Sequence, residues 1–83
     1  MIKGIVLSTQ AQADLAALDR PVALRIVGAI NRFASTGAGN VQGLHGIPPP
    51  EFRLRVGDWR VRFHDRGDWI HILRVRNRRE AYR

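Results

Sequence analysis

The chain has 83 residues, 45% of them hydrophobic and 25% charged, enough for a single domain over residues 1–83 and too few for a second domain or a doubly wound cofactor fold. Fourteen basic residues against seven acidic ones give +7 at neutral pH, so the expected partner is a polyanion: nucleic acid, an acidic protein or an anionic membrane surface. There is no Cys, which excludes disulfide frameworks, zinc knuckles and thiol chemistry; no run approaches the ~18 apolar residues of a membrane span, Met1-Ile2-Lys3-Gly4 lacks a signal-peptide pattern, and a cytoplasmic location is expected.

Ile2 to Leu7 is short, apolar and β-branched, and reads as a strand. Ser8 and Thr9 offer N-cap oxygens, with Gln12 at capping-box spacing from Thr9. Gln10 to Leu18 then reads as a helix with Ala11, Leu15 and Leu18 on one face. Asp19-Arg20 interrupts it, and Pro21 suits the first turn of a second helix in which Val22, Ile26, Ala29, Ile30 and Phe33 repeat at helical spacing, Arg25 and Arg32 lying opposite. An αα-hairpin with one apolar seam is expected. Ser35 to Pro50 holds four Gly and the run Pro48-Pro49-Pro50, and reads as a loop, either functional or a plain connector.

Charge concentrates beyond that loop, where residues 51–83 hold ten Arg. Phe52, Leu54 and Val56 alternate with Arg53 and Arg55; Trp59, Val61 and Phe63 alternate with Arg60, Arg62 and His64. Gly57-Asp58 between them suits a two-residue II′ turn. Asp65 to Asp68 makes a second turn around Gly67, Trp69 to Val75 a third strand, and Arg74 to Arg83 a basic tail. The fold class is α+β, an antiparallel sheet with a helical hairpin on one face in the order β-α-α-β-β-β.

The hairpin register follows from the turn. With Val56 and Trp59 flanking it, Arg55 faces Arg60, Leu54 faces Val61, Arg53 faces Arg62, Phe52 faces Phe63 and Glu51 faces His64. One face is apolar and suits packing on the helices. The other carries two opposed Arg–Arg pairs at non-hydrogen-bonded sites, where Cα atoms are only ~4.5 Å apart. Opposed like charges destabilise a sheet, and an anionic ligand is the natural compensation. The competing account is that Arg stems cover apolar surface while acidic neighbours neutralise the heads.

These residues resemble a known family. Phe52-Arg53-Leu54-Arg55-Val56-Gly57-Asp58-Trp59-Arg60-Val61-Arg62-Phe63 is similar to the "yRlRvGdyRvif" segment of RelE/ParE-superfamily toxins. Arg78-Arg79-Glu80-Ala81-Tyr82-Arg83 is similar to the terminal "HRrevYr", and Leu44-His45-Gly46 to the "L-x-G" before the hairpin. The resemblance implies the toxin of a type II toxin–antitoxin system, neutralised by a cognate antitoxin. The RelE branch consists of endoribonucleases that cut mRNA on the ribosome by attack of the RNA's own 2′-OH; the ParE branch poisons DNA gyrase. By resemblance, Arg53, Arg55, Arg60 and Arg78 match basic residues of the RelE site, and Tyr82 matches a Tyr that stacks on the substrate nucleotide. Lys stands in the RelE prototype where this chain has Arg53 and Arg55, and one of those Lys is a proposed general base. Arg cannot take that part, but it stabilises a pentavalent phosphate electrostatically. Asn77 replaces the frequent His before Arg78.

Three groups are candidates for moving the proton: Tyr82, and the cross-strand pair of His64 with Glu51, in which a carboxylate would orient an imidazole. Each has a plainer reading, Tyr82 as a surface or antitoxin contact and the pair as strand-end polar residues. His71 reads as structural, and His45 has no partner identifiable from sequence. Asp58, Asp65 and Asp68 are explained by turn chemistry, Trp59 reads as core, and Trp69 as either core or a stacking platform. No spacing suggests a metal, and no cofactor is expected. The leading expectation is therefore a ribosome-dependent mRNA endoribonuclease with Arg53, Arg55, Arg60, Arg62 and Arg78 on RNA. The alternatives are a gyrase-directed toxin and a basic β-ribbon that binds duplex DNA.

Overall fold

The computed structural model describes residues 2–44 and 49–78. The order is β1 (Gly4–Leu7), α1 (Thr9–Ala16), α2 (Arg20–Thr36), β2 (Asn40–Leu44), β3 (Glu51–Val56), β4 (Trp59–Asp65) and β5 (Trp69–Asn77). The five strands form one sheet in the spatial order β1-β5-β4-β3-β2. β1 runs parallel to β5 and the other pairings are antiparallel, so the sheet is mixed. The α+β class with β1 first is the one expected; β2 is an additional strand within the stretch read as loop.

Local chemistry sets the helix ends. The N-cap of α1 is Ser8, whose Oγ accepts from the Ala11 N–H at 2.9 Å; the Gln12 amide reaches the Leu7 carbonyl instead of closing a box with Thr9. Pro21 occupies the first turn of α2, where its missing N–H costs nothing. α2 stops at Gly37, which takes the left-handed conformation at φ 77° and donates its N–H to the Phe33 carbonyl.

The core lies between α2 and one face of the sheet. Ile26, Ile30 and Ala34 of α2 are buried with Leu54, Val61, Phe63, Ile70, Ile72 and Val75. Phe63 is at its centre, its ring 5.2 Å from Phe33 and 5.6 Å from Phe52. The apolar faces expected of the two consecutive helices join this one core, Ala11 and Leu15 from α1 with Val22, Ile26, Ala29, Ile30 and Phe33 from α2; α1 rests on β5 and β1, and α2 on β3 and β1. α1 continues the role of β1 along the edge of β5. Ser8 donates its backbone N–H to the Ile72 carbonyl and its hydroxyl to the Leu73 carbonyl, and Asp14 accepts the Val75 N–H at 2.9 Å. A helix here covers edge groups that β1 is too short to pair.

Every opposed pair expected for the β3–β4 hairpin is present, from Val56↔Trp59 out to Glu51↔His64. The β4–β5 ladder is interrupted by a bulge: Phe63 pairs with Ile72 but Arg62 pairs with Arg74, leaving Leu73 as the extra residue. Beyond it β5 continues to Asn77, so Arg74 and Arg76 belong to a strand and not to a tail.

Candidate functional site

The sheet face away from α2 is organised in rows, because opposed residues of neighbouring strands project to the same side. The row nearest the hairpin turn is Asn40, Arg55, Arg60 and Arg76. The next is Gln42, Arg53, Arg62 and Arg74. A third follows with Leu44, Glu51, His64 and His71, and Val6 of β1 pairs with His71 at its end. The Arg–Arg pairs of the hairpin are thus the middle of two rows, each three arginines wide. Asn40 and Gln42 on β2 and Arg74 and Arg76 on β5 are the members that sequence reasoning missed. Arg78 follows at the end of β5, its N–H donated to the Asp58 carbonyl of the hairpin turn at 2.6 Å. Tyr82 and His45 lie outside the described residues.

The arginines are not equivalent. Arg60 is only 5% exposed; its guanidinium turns back on the hairpin and donates to the carbonyls of Gly57 and Trp59 at 3.0 and 3.1 Å. It is therefore not the open cation the alternation implies: the turn carbonyls hold its head and give its charge a structural duty. Arg62 forms a forked pair with Glu51, Nε to Oε2 at 2.7 Å and a second nitrogen to Oε1 at 3.1 Å. That hydrogen bond raises the Arg62 pKa above its already high value, against the effect of burial. Arg53 donates to the Gln42 amide oxygen at 2.9 Å. Arg55 is exposed and makes no ion pair or side-chain hydrogen bond among the described residues. Asn40, Gln42, Arg53, Arg55 and Arg60 line a depression of about 270 Å³.

The cross-strand pair of Glu51 and His64 is only partly assembled. The two residues are opposed as expected. Both carboxylate oxygens are engaged by Arg62, and the His64 Nε2 stands 3.8 Å from Oε1, beyond hydrogen-bond reach. The carboxylate thus orients an arginine in preference to the imidazole, since an always-charged fork offers two bonds to one. His64 instead meets His71 edge-on, with ring centroids 6.4 Å apart.

Asp14 supplies the other fixed anion near the rows, accepting from Arg74 at 2.9 and 3.2 Å. Burial pushes its carboxyl up, but the bonds from Arg74 and the Val75 N–H, with the charges of Arg74 and Arg76, outweigh that and leave it below the ordinary carboxylate range. Chemically, the face can hold a multivalent anion by charge and by forked donors. Among the described residues no three His, Asp or Glu side chains gather as a metal-ligand set, and no helix is long and apolar enough to cross a membrane.

The architecture matches that of toxin–antitoxin complexes. A chain of the archaeal RelE–RelB complex from Pyrococcus horikoshii OT3 superposes with a TM-score of 0.75 at 21% identity, over 94% of this chain and 97% of that one. A chain of the RelB–RelE antitoxin–toxin complex from Methanococcus jannaschii gives 0.74 at 22%, over 93% and 94%. One from the RelBE2 complex of Mycobacterium tuberculosis gives 0.70 at 24%, over 94% and 100%. These identities speak to the fold. No curated protein matches the chain. A family model for the ParE toxin of type II toxin–antitoxin systems matches residues 5–82. The chain belongs to that family, within the RelE/ParE superfamily, and is a type II toxin.

Proposed function

We propose that this toxin is a ribosome-dependent mRNA endoribonuclease held in check by an antitoxin. The observation that carries the reading is the pair of three-arginine rows, an array that suits a phosphodiester backbone better than it suits an isolated domain. The 2′-oxygen of the RNA attacks the adjacent phosphorus and the bond to the 5′-oxygen breaks. The products are a 2′,3′-cyclic phosphate and a 5′-hydroxyl that takes up a proton. Arg53 and Arg55 bind the scissile phosphate beside the depression, with Arg62 and Arg78 on flanking phosphates and Arg60 supporting the turn beneath them. Stabilising the charge of the pentavalent phosphate is the main catalytic contribution assigned to them. His64 carries a proton between the attacking and leaving oxygens, with Glu51 opposite it across the hairpin and held by Arg62, and Tyr82 stacks on or activates the nucleotide.

The test is primer extension on programmed ribosomes incubated with the purified toxin. Discrete cuts within the A-site codon are expected. His64→Ala is expected to slow cutting by about 10²-fold or more, the scale of general acid–base catalysis; cutting at an unchanged rate removes His64 from the mechanism. The family description favours a second reading, a gyrase-directed toxin, in which the same face binds protein. Intact mRNA together with lost supercoiling activity would establish it.

A further inference from the structure

Beyond the arginine rows, the same face changes character. Trp69 and His71 alternate with the buried Ile70 and Ile72, so both project to the open side. His71 is opposed to His64 across β4–β5. Their rings form a continuous strip, Trp69 to His71 at 5.8 Å between centroids and His71 to His64 at 6.4 Å. All three are half-buried, lying on the sheet with part of each ring accessible. On β1 the neighbours are Gly4, opposite Trp69, and Val6, opposite His71. Gly4 has no side chain to cover the indole, and Val6 is 47% exposed, one of the few large hydrophobic residues left open among those described. Arg66 lies over the Trp69 ring at 5.8 Å, a cation at the platform's outer end. The carboxylate beside the strip, Glu51, is paired with Arg62.

A half-exposed aromatic strip that continues a cationic array is the arrangement by which proteins hold single-stranded nucleic acid: charge tracks the backbone and rings stack on bases. Neither part explains the other structurally, since the core lies on the opposite face. The geometry points to a base-stacking platform of Trp69, His71 and His64, which receives bases of single-stranded RNA next to the phosphates held on the arginine rows. This deepens the nuclease reading and rests on it. An acidic protein segment would use the charge but not the rings, and a duplex would present no free base faces.

Two uncut probes separate these terms: a 2′-O-methyl adenylate hexamer and an abasic tetrahydrofuran hexamer of equal charge. The unmodified toxin is expected to bind the adenylate hexamer about 5- to 150-fold more tightly, the range of one stacked base. Trp69→Leu, which keeps apolar bulk, and His71→Ala should each cut that preference at least fivefold. Neither should change affinity for the abasic probe. With Trp59→Phe, leaving Trp69 as the sole Trp, the adenylate probe should quench fluorescence and the abasic one should not. Equal affinity for both probes, still weakened by Arg55→Ala, overturns the platform and leaves the phosphate site standing. A preference that survives both substitutions places base contacts elsewhere and overturns it as well. Binding of neither probe overturns the platform, while the nuclease reading is decided separately by the primer-extension assay on programmed ribosomes.

Discussion

Asp14 accepts bonds from the Arg74 side chain and from the Val75 backbone, tying α1 to β5 through one carboxylate. Its lowered pKa has a defined consequence for stability. The folded state favours the ionised form, so this contribution is present above the unfolded value near ~3.9 and fades as pH falls through the folded value. Asp65 behaves likewise, chiefly through its bond from Lys3, helped by the Gly67 N–H. Asp14→Asn is expected to lose about 1–3 kcal/mol at pH 7. Its stability should also fall less steeply than the wild type's between pH 5 and pH 2. Urea unfolding across that range measures both, and parallel curves would mean that Asp14 is not a stabilising anion. The arginines carry the complementary lesson. Alternation alone put Arg60 on an open face, and the face is right. What alternation could not show is that the hairpin's own carbonyls hold the guanidinium, because that depends on where a long side chain folds back.

At the scale of elements, the β3–β4 hairpin was legible in full, down to its register. Gly57-Asp58 sits between strictly alternating runs, and a one-residue slip would expose the whole apolar set. Gly57 has φ 59°, and a methyl group on its Cα would meet nothing within 4 Å, so a substitution there tests backbone conformation and not crowding. Gly57→Ala should cost about 1–2 kcal/mol, lowering Tm by about 4–8 °C for each kcal/mol in a domain this small. An unchanged Tm in calorimetry would show that the turn tolerates a side chain. β2 was not legible. Asn40-Val41-Gln42-Gly43-Leu44 has weak alternation and sits between Gly-rich and Pro-rich segments, and only pairing with β3 makes it a strand. The end of β5 was hidden differently. The extra Leu73 at the bulge shifts the apolar phase from Ile70 and Ile72 to Val75, so Arg74 and Arg76 looked like a tail. Both omissions narrowed the site, since the missing strands supply the outer members of each arginine row.

For the whole molecule, charge and topology act together. The net charge of +7 favours encounter with any polyanion, and the rows concentrate that charge on one face of the sheet. Arg55 is the cleanest probe, being exposed and outside every ion pair among the described residues. Arg55→Ala should leave the urea midpoint nearly unchanged and lower the slope of log K against log salt for RNA by about one. A slope equal to the wild type's would remove Arg55 from the phosphate contacts. Topology adds a constraint in time. β1 is the first of the described strands in chain order, yet its partner in the sheet is β5, the last of them. A nascent chain on the ribosome can form the β3–β4 hairpin early, but it cannot seat β1 or give α1 its edge until residues 69–77 have emerged. Long-range closure of this kind is slow. The complete arginine array therefore cannot assemble on a nascent chain until β5, which carries the outer arginine of each row, is free to pair with β4.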